Sequence, residues 1–143
     1  MTGIIVVGVD GSQTAQHAAN AARDLAIALG TRLHVLTAYT TDQTESLSSG
    51  SDSWLLTNAG AAERLARKVA DRLRTGDLVI EHFAARETPA TALIKHAETH
   101  GASMIVVGNR RMQGIGRLLG SVANHVAHHA PCDVYVAKTD EPN

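Results

Sequence analysis

A glycine-rich stretch with three arginines is the part of the sequence best suited to bind an anion. It reads VVGNRRMQGIGRLLGSV over residues 106–122 and passes from a β-branched run through glycines into a helix-like segment. Glycines let backbone N–H groups approach a phosphate closely, and a helix N-terminus adds a favourable dipole. Positive charge would come from Arg110, Arg111 and Arg117. The backbone positions that we expect to matter most are Gly108, Gly120 and Ser121.

This stretch matches neither of two common phosphate-binding motifs. The sequence contains no G-x-x-x-x-G-K-[ST], and G-x-G-x-x-G fails because Gly114 and Gly116 are followed by Leu119. On loop chemistry alone, the alternative is that these glycines only turn the chain.

Length and composition restrict the class of protein. The chain has 143 residues, a formal net charge of −1 and 3% aromatic residues, which argues against nucleic-acid binding. No apolar run reaches the roughly 18 residues that a membrane span requires, and the first residues do not resemble a signal peptide. Cys132 is the only cysteine. We therefore expect a cytoplasmic protein with no membrane or nucleic-acid partner.

Hydrophobic patterning predicts strands and helices in strict alternation. The predicted strands are 3–9, 32–39, 77–85, 103–107 and 132–138, and apolar helical faces lie between them. Charged residues inside the third strand indicate an edge position. This order predicts a single-domain α/β fold over residues 1–143, a doubly wound three-layer sandwich. Residues 39–54 are expected to form a flexible loop and 139–143 a polar tail.

Two predicted loops would meet at one edge of such a sheet. Ligands of doubly wound folds bind at the carboxyl ends of the strands, where the strand order reverses. Asp10 directly follows the first strand, and the glycine-rich stretch follows the fourth. If these strands are neighbours, both features line one crevice.

Three segments resemble the universal stress protein family: IIVVGVDGS, then VVGN before the glycine-rich stretch, then LLGSVANHVAHHAPCDVYVAK. The resemblance covers almost the whole chain. It implies a five-stranded parallel sheet of order 3-2-1-4-5, a homodimer and, in one branch, an adenine-nucleotide site with the pattern G-x2-G-x9-G-[ST]. Gly108 matches the first glycine of that pattern, and Gly120 with Ser121 matches its end.

The sequence departs from the pattern at two points. Arg111 stands at the second glycine, and the following spacer is one residue shorter. An arginine there could block the phosphate or add a bidentate contact to it. Because Gly114 and Gly116 leave the loop room to adjust, we expect binding to survive.

The resemblance also implies roles for residues at the strand ends. Asp10 would lie beside the ribose and phosphates, or hold Mg²⁺ with the nucleotide; alternatively, it only bonds amides of its own turn. The hydroxyl of Ser121 would bind phosphate or cap a helix, and the backbone of Val122 would hold the phosphate end. The adenine pocket would be lined by Gly8, Val9, Ala38 and Val107.

Other motifs provide little for catalysis or metal binding. His125, His128 and His129 fall on one helical face near a helix end, which favours a structural role over a metal site. The other five histidines are scattered and receive no role. The sequence lacks G-x-S-x-G, H-E-x-x-H and a positioned catalytic base.

We therefore expect an ATP-binding stress sensor or regulator without efficient catalysis. The alternatives are a cyclic AMP- or AMP-binding member, a nucleotide-independent dimerising interaction module, and a weak ATPase. A flavodoxin-like FMN protein is disfavoured because an acid, Asp10, occupies the expected phosphate loop. Dimerisation is expected through the strand 132–138, an apolar edge.

Overall fold

The computed structural model describes residues 3–40, 52–109 and 120–138, with the backbone alone for 52–58. Strands and helices alternate along the chain. In order they are β1 (Ile4–Gly8), α1 (Gln13–Leu29), β2 (Arg32–Tyr39), α2 (Asp52–Leu73), β3 (Ile80–Arg86), α3 (Pro89–His100), β4 (Met104–Gly108), α4 (Ser121–His129) and β5 (Asp133–Ala137).

The five strands form one parallel sheet of order β3-β2-β1-β4-β5. The predicted fold class and strand order are confirmed, and β3 lies at an edge as expected. The strand order reverses between β1 and β4, which are direct neighbours. The carboxyl ends of these two strands therefore lie side by side.

Helices cover both faces of the sheet. On one face α1 presents an almost pure alanine surface (Ala15, Ala18, Ala19, Ala22 and Ala26 are buried), so the helix packs close to the strands. Helix α2 completes that layer, while α3 and α4 cover the other face. No described helix combines the length and the apolar character that crossing a bilayer requires.

The residues that cap the helices are of the types that the sequence predicts. The Ser12 hydroxyl accepts a hydrogen bond from the Ala15 N–H at 3.1 Å and caps α1. Gly30 and Gly101 are the C-caps of α1 and α3. They adopt the left-handed conformation that glycine tolerates best, with φ of 68° and 64°.

Two predicted boundaries are wrong. Strand β3 begins at Ile80 rather than residue 77, because Leu78 N–H donates to the Thr75 carbonyl in a turn. Helix α2 begins at Asp52, inside the loop predicted for 39–54. Its apolar period was readable only from Ala62, where the helix packs against the sheet. Residues 41–51 of that loop and the predicted tail 139–143 lie outside the described residues.

Candidate nucleotide-binding site

A cavity of about 300 Å³ opens at the carboxyl ends of β1, β2 and β4. Its volume is at the lower end of the range for small-molecule sites, about 300–1,000 Å³. The cavity lies at the reversal of the strand order, where doubly wound folds bind ligands. The N-termini of α1, α3 and α4 also reach it, through residues such as Thr14, Pro89 and Ser121.

All the predicted site residues that the structure describes line this cavity. They are Gly8, Val9, Asp10, Ala38, Val107, Gly108, Gly120, Ser121 and Val122. The remaining four predicted residues, Arg110, Arg111, Gly114 and Gly116, lie outside the described part of the chain. The two loops expected to converge therefore do so at Asp10 and at the two ends of the glycine-rich stretch.

One wall of the cavity is apolar. It is formed by Val9, Leu36, Ala38, Leu93 and Val107. The end of β1 is fixed to β2 because Val9 N–H donates to the Leu36 carbonyl at 2.9 Å. A wall of this kind, with a few polar groups at one end, suits a planar heteroaromatic ring.

The N-terminus of α4 supplies the polar end of the cavity. Gly120 is the N-cap, with an extended backbone, and its carbonyl accepts from Asn124 N–H at 2.9 Å. Ser121 is therefore the first helical residue, and the predicted capping role for its side chain is wrong. The exposed Ser121 side chain and the first amides of α4 lie along the cavity. Amides in a first helical turn have no acceptor within the helix, so they can bind an anion.

Asn109 is a site residue that the sequence analysis missed. Its side chain is 1% exposed, and its Oδ1 accepts from the Gly120 N–H at 2.6 Å. This bond joins the residue just before residues 110–119 to the residue just after them. Asn109 therefore fixes the start of α4 relative to β4. The available signal was a polar residue directly after a buried strand.

Asp10 lies at the exposed lip of the cavity. Its Oδ1 accepts from the Ser12 N–H at 2.9 Å, across Gly11, which has a φ of 86°. The local turn contact considered in the sequence analysis is thus present. Among the described residues that line the cavity, Asp10 alone has an ionisable side chain.

Three of the histidines to which the sequence analysis gave no role come together away from this cavity. His34 Nδ1 lies 2.8 Å from His96 Nε2, and the rings of His96 and His100 are stacked with centroids 4.0 Å apart. Phe83 packs against them, with its ring centroid 4.8 Å from that of His34. Glu81 Oε1, on β3, lies 3.4 Å from His34 Nε2.

Two histidines of this cluster, His34 and His96, have lowered pKa values. Burial lowers the pKa of His96 to about 4, and the neighbouring His100 and His34 add to the effect. Burial also lowers the pKa of His34, helped by His100 and Arg32 and opposed by Glu81. Helix α4 carries a separate histidine pair, in which His129 Nδ1–H donates to the His125 carbonyl at 3.1 Å.

Comparison with known proteins agrees with the fold. The model of the universal stress protein family matches residues 1–138. A universal stress protein of Mycobacterium tuberculosis is 29% identical over 140 residues, which cover 94% of this chain and 95% of that protein.

Solved structures give the same result. A universal stress protein in complex with cAMP is 31% identical, with a TM-score of 0.71 and coverage of 96% of this chain and 98% of that one. UspA from Lactobacillus plantarum is 25% identical, with a TM-score of 0.75 and coverage of 94% and 96%. The fold, its strand order and the match along the chain agree. This chain belongs to the universal stress protein family.

Proposed function

We propose that this chain binds an adenine nucleotide, with ATP as the leading ligand, and acts as a cytoplasmic stress sensor or regulator without efficient catalysis. One observation carries the proposal: nine residues selected from the sequence for nucleotide binding line a single cavity. The relative that is 31% identical and was crystallised with cAMP adds support, because cAMP is an adenine nucleotide.

The two ends of the cavity suggest how the ligand lies. The apolar wall, including Ala38 and Val107, would hold the adenine ring, and backbone groups at Ala38 would contact its edge. The phosphates would bind the first amides of α4, from Ser121 onward. Arg110, Arg111, Gly114 and Gly116 are proposed to take part in phosphate binding as well.

Asp10 is the residue we propose for Mg²⁺. Mg²⁺ commonly binds through one or two carboxylates together with phosphate oxygens, and Asp10 lines the cavity shortly after the end of β1. A weak ATPase is the second candidate, favoured by that carboxylate. Steady phosphate release that disappears in Asp10→Asn would support it.

We also propose a homodimer formed through β5. This strand is an edge of the sheet and pairs with β4 on its inner side. Tyr135, on β5, is a large apolar side chain with 42% of its surface exposed. An edge strand of this kind can pair with a second copy. Sedimentation of wild type and Tyr135→Lys tests this part, and equal molecular masses would reject it.

The decisive test of binding is calorimetric titration of nucleotide-free protein with Mg-ATP, cyclic AMP and AMP. Gly120→Glu places a carboxylate at the N-terminus of α4 and should abolish binding by repelling the phosphates. Gly60→Glu is the matched control, because it makes the same change on α2, near Arg64 and outside the cavity.

Each outcome has a distinct meaning. ATP binding that is lost in Gly120→Glu and kept in Gly60→Glu supports the proposal. Tighter binding of cyclic AMP would identify a cyclic-nucleotide sensor instead. If none of the three nucleotides binds, the proposal fails and a nucleotide-independent dimerising module remains.

A further inference from the structure

Three histidines from two distant parts of the chain form a cluster on the α3 side of the sheet. His34 lies near the start of β2 and is 2% exposed, while His96 and His100 lie in the last turns of α3. Each offers one ring nitrogen, and these three nitrogens lie within 4.8 Å of one another. Among the residues whose side chains are described, no other three histidine, cysteine, aspartate or glutamate residues lie so close together.

We propose that His34, His96 and His100 bind a divalent transition-metal ion of the zinc type. Imidazole nitrogens suit Zn²⁺, Co²⁺, Ni²⁺ and Cu²⁺. Histidines four residues apart on a helix present their rings on one face, a spacing that zinc sites use. The third ligand, His34, comes from a strand that packs against that face.

Two contacts around the cluster leave one ring nitrogen of His34 and one of His100 available to a metal. His34 Nε2 faces the carboxylate of Glu81 at 3.4 Å, which leaves Nδ1 toward His96. His100 Nδ1–H donates to the His96 carbonyl at 3.1 Å, which leaves its Nε2 as the available lone pair. Metal-binding histidines almost always donate their other N–H to a carboxylate or a backbone carbonyl. His100 already donates in this way, and His34 Nε2 is in position to donate to Glu81.

Occupation requires small side-chain movements. Zn–N bonds of about 2.0–2.1 Å in a tetrahedral site hold the nitrogens roughly 3.4 Å apart. His34 Nδ1 and His96 Nε2, now joined by a hydrogen bond of 2.8 Å, would separate slightly as the metal replaces the shared proton. That proton would move to the free nitrogen of His96, so both rings stay neutral. His100, the exposed last residue of α3, would rotate toward them.

This site is separate from the nucleotide cavity. Pro89, at the start of α3, lines the cavity, whereas His100 ends the helix roughly 17 Å away. The metal would join β2 to the far end of α3. Three protein ligands leave a fourth tetrahedral position for water. The proposal does not depend on nucleotide binding.

The test is titration of the untagged, chelator-treated protein with Zn²⁺, and with Co²⁺ as a spectroscopic probe. Wild type should bind one equivalent and give the visible bands of tetrahedral Co²⁺. We expect His96→Gln and His100→Gln to lose this site. Because His100 is exposed, His100→Gln should keep the wild-type melting temperature in chelator. Glu81→Gln, at a positioning residue, should weaken Zn²⁺ about tenfold, within the range for such partners.

His129→Gln is the matched control, since His125 and His129 form an equally spaced pair on α4. It should bind Zn²⁺ like wild type. Absence of saturable Zn²⁺ binding in the wild type would overturn the proposal. So would unchanged affinity in His100→Gln, or a loss confined to His129→Gln, which would place the metal on α4.

Discussion

Removing the Asn109 side chain should loosen the start of α4. In Asn109→Ala the Gly120 N–H loses its acceptor in a partly buried position, where it made a 2.6 Å bond. An unsatisfied buried donor costs about 1–3 kcal/mol of unfolding free energy. For a chain of 143 residues, the usual unfolding entropy converts this into a fall of about 3–10 °C in melting temperature.

The same change should weaken nucleotide binding if the site works as proposed. The Asn109 bond places the first amides of α4 where the phosphates would lie, so ATP affinity should fall more than adenosine affinity. Differential scanning calorimetry and isothermal titration measure the two effects. Asn124→Ala, an exposed change on the same helix, should stay within about 0.5 kcal/mol of wild type. Equal melting temperatures for the two variants would refute the assigned role of Asn109.

Three further predictions concern other parts of the fold. Gly11→Ala should lower the free energy of unfolding by about 1–2 kcal/mol, because Gly11 has a positive φ. Gly60→Ala, within α2, should raise it by about 0.5–1 kcal/mol. Urea unfolding measures both changes, and effects of the same sign would contradict this prediction. With chelator present, unfolding free energy should fall between pH 6.5 and about 4, because the unfolded chain takes up protons that folded His96 does not. His96→Gln should flatten that slope, and an unchanged slope would reject the pKa assignment. Burial, with a neighbouring carboxylate, raises the pKa of the Cys132 thiol. Because the thiolate is the reactive form, iodoacetamide should react more slowly with folded than with unfolded protein at pH 8. Equal rates would contradict this prediction.

The fold was predictable because its signals are local. Apolar runs such as that of β1 and the alternation of strands with helices indicate a doubly wound sheet without knowledge of any contact. The ends of helices were harder to predict where the residues are not buried, because exposed residues carry no apolar periodicity. Helix α2 begins ten residues before Ala62, its first readable apolar position.

The candidate site was only partly predictable, because some of its contacts join residues that are far apart in the sequence. Residues that directly follow strands could be placed at the correct edge, and Asp10 and Gly108 were. Asn109 acts through a bond to Gly120, eleven residues later, which no spacing rule signals. His34 and His96 are 62 residues apart, and only the packing of α3 on β2 brings them together.

The central claim is that an adenine nucleotide occupies the cavity at the carboxyl ends of the strands. Backbone amide shifts, followed by NMR as Mg-ATP is added, test it most directly. Saturable shifts are expected at Gly8–Asp10, Ala38 and Gly120–Val122, and none at the end of α3 near His100. Absence of shifts, or shifts confined to residues away from the cavity, would contradict it.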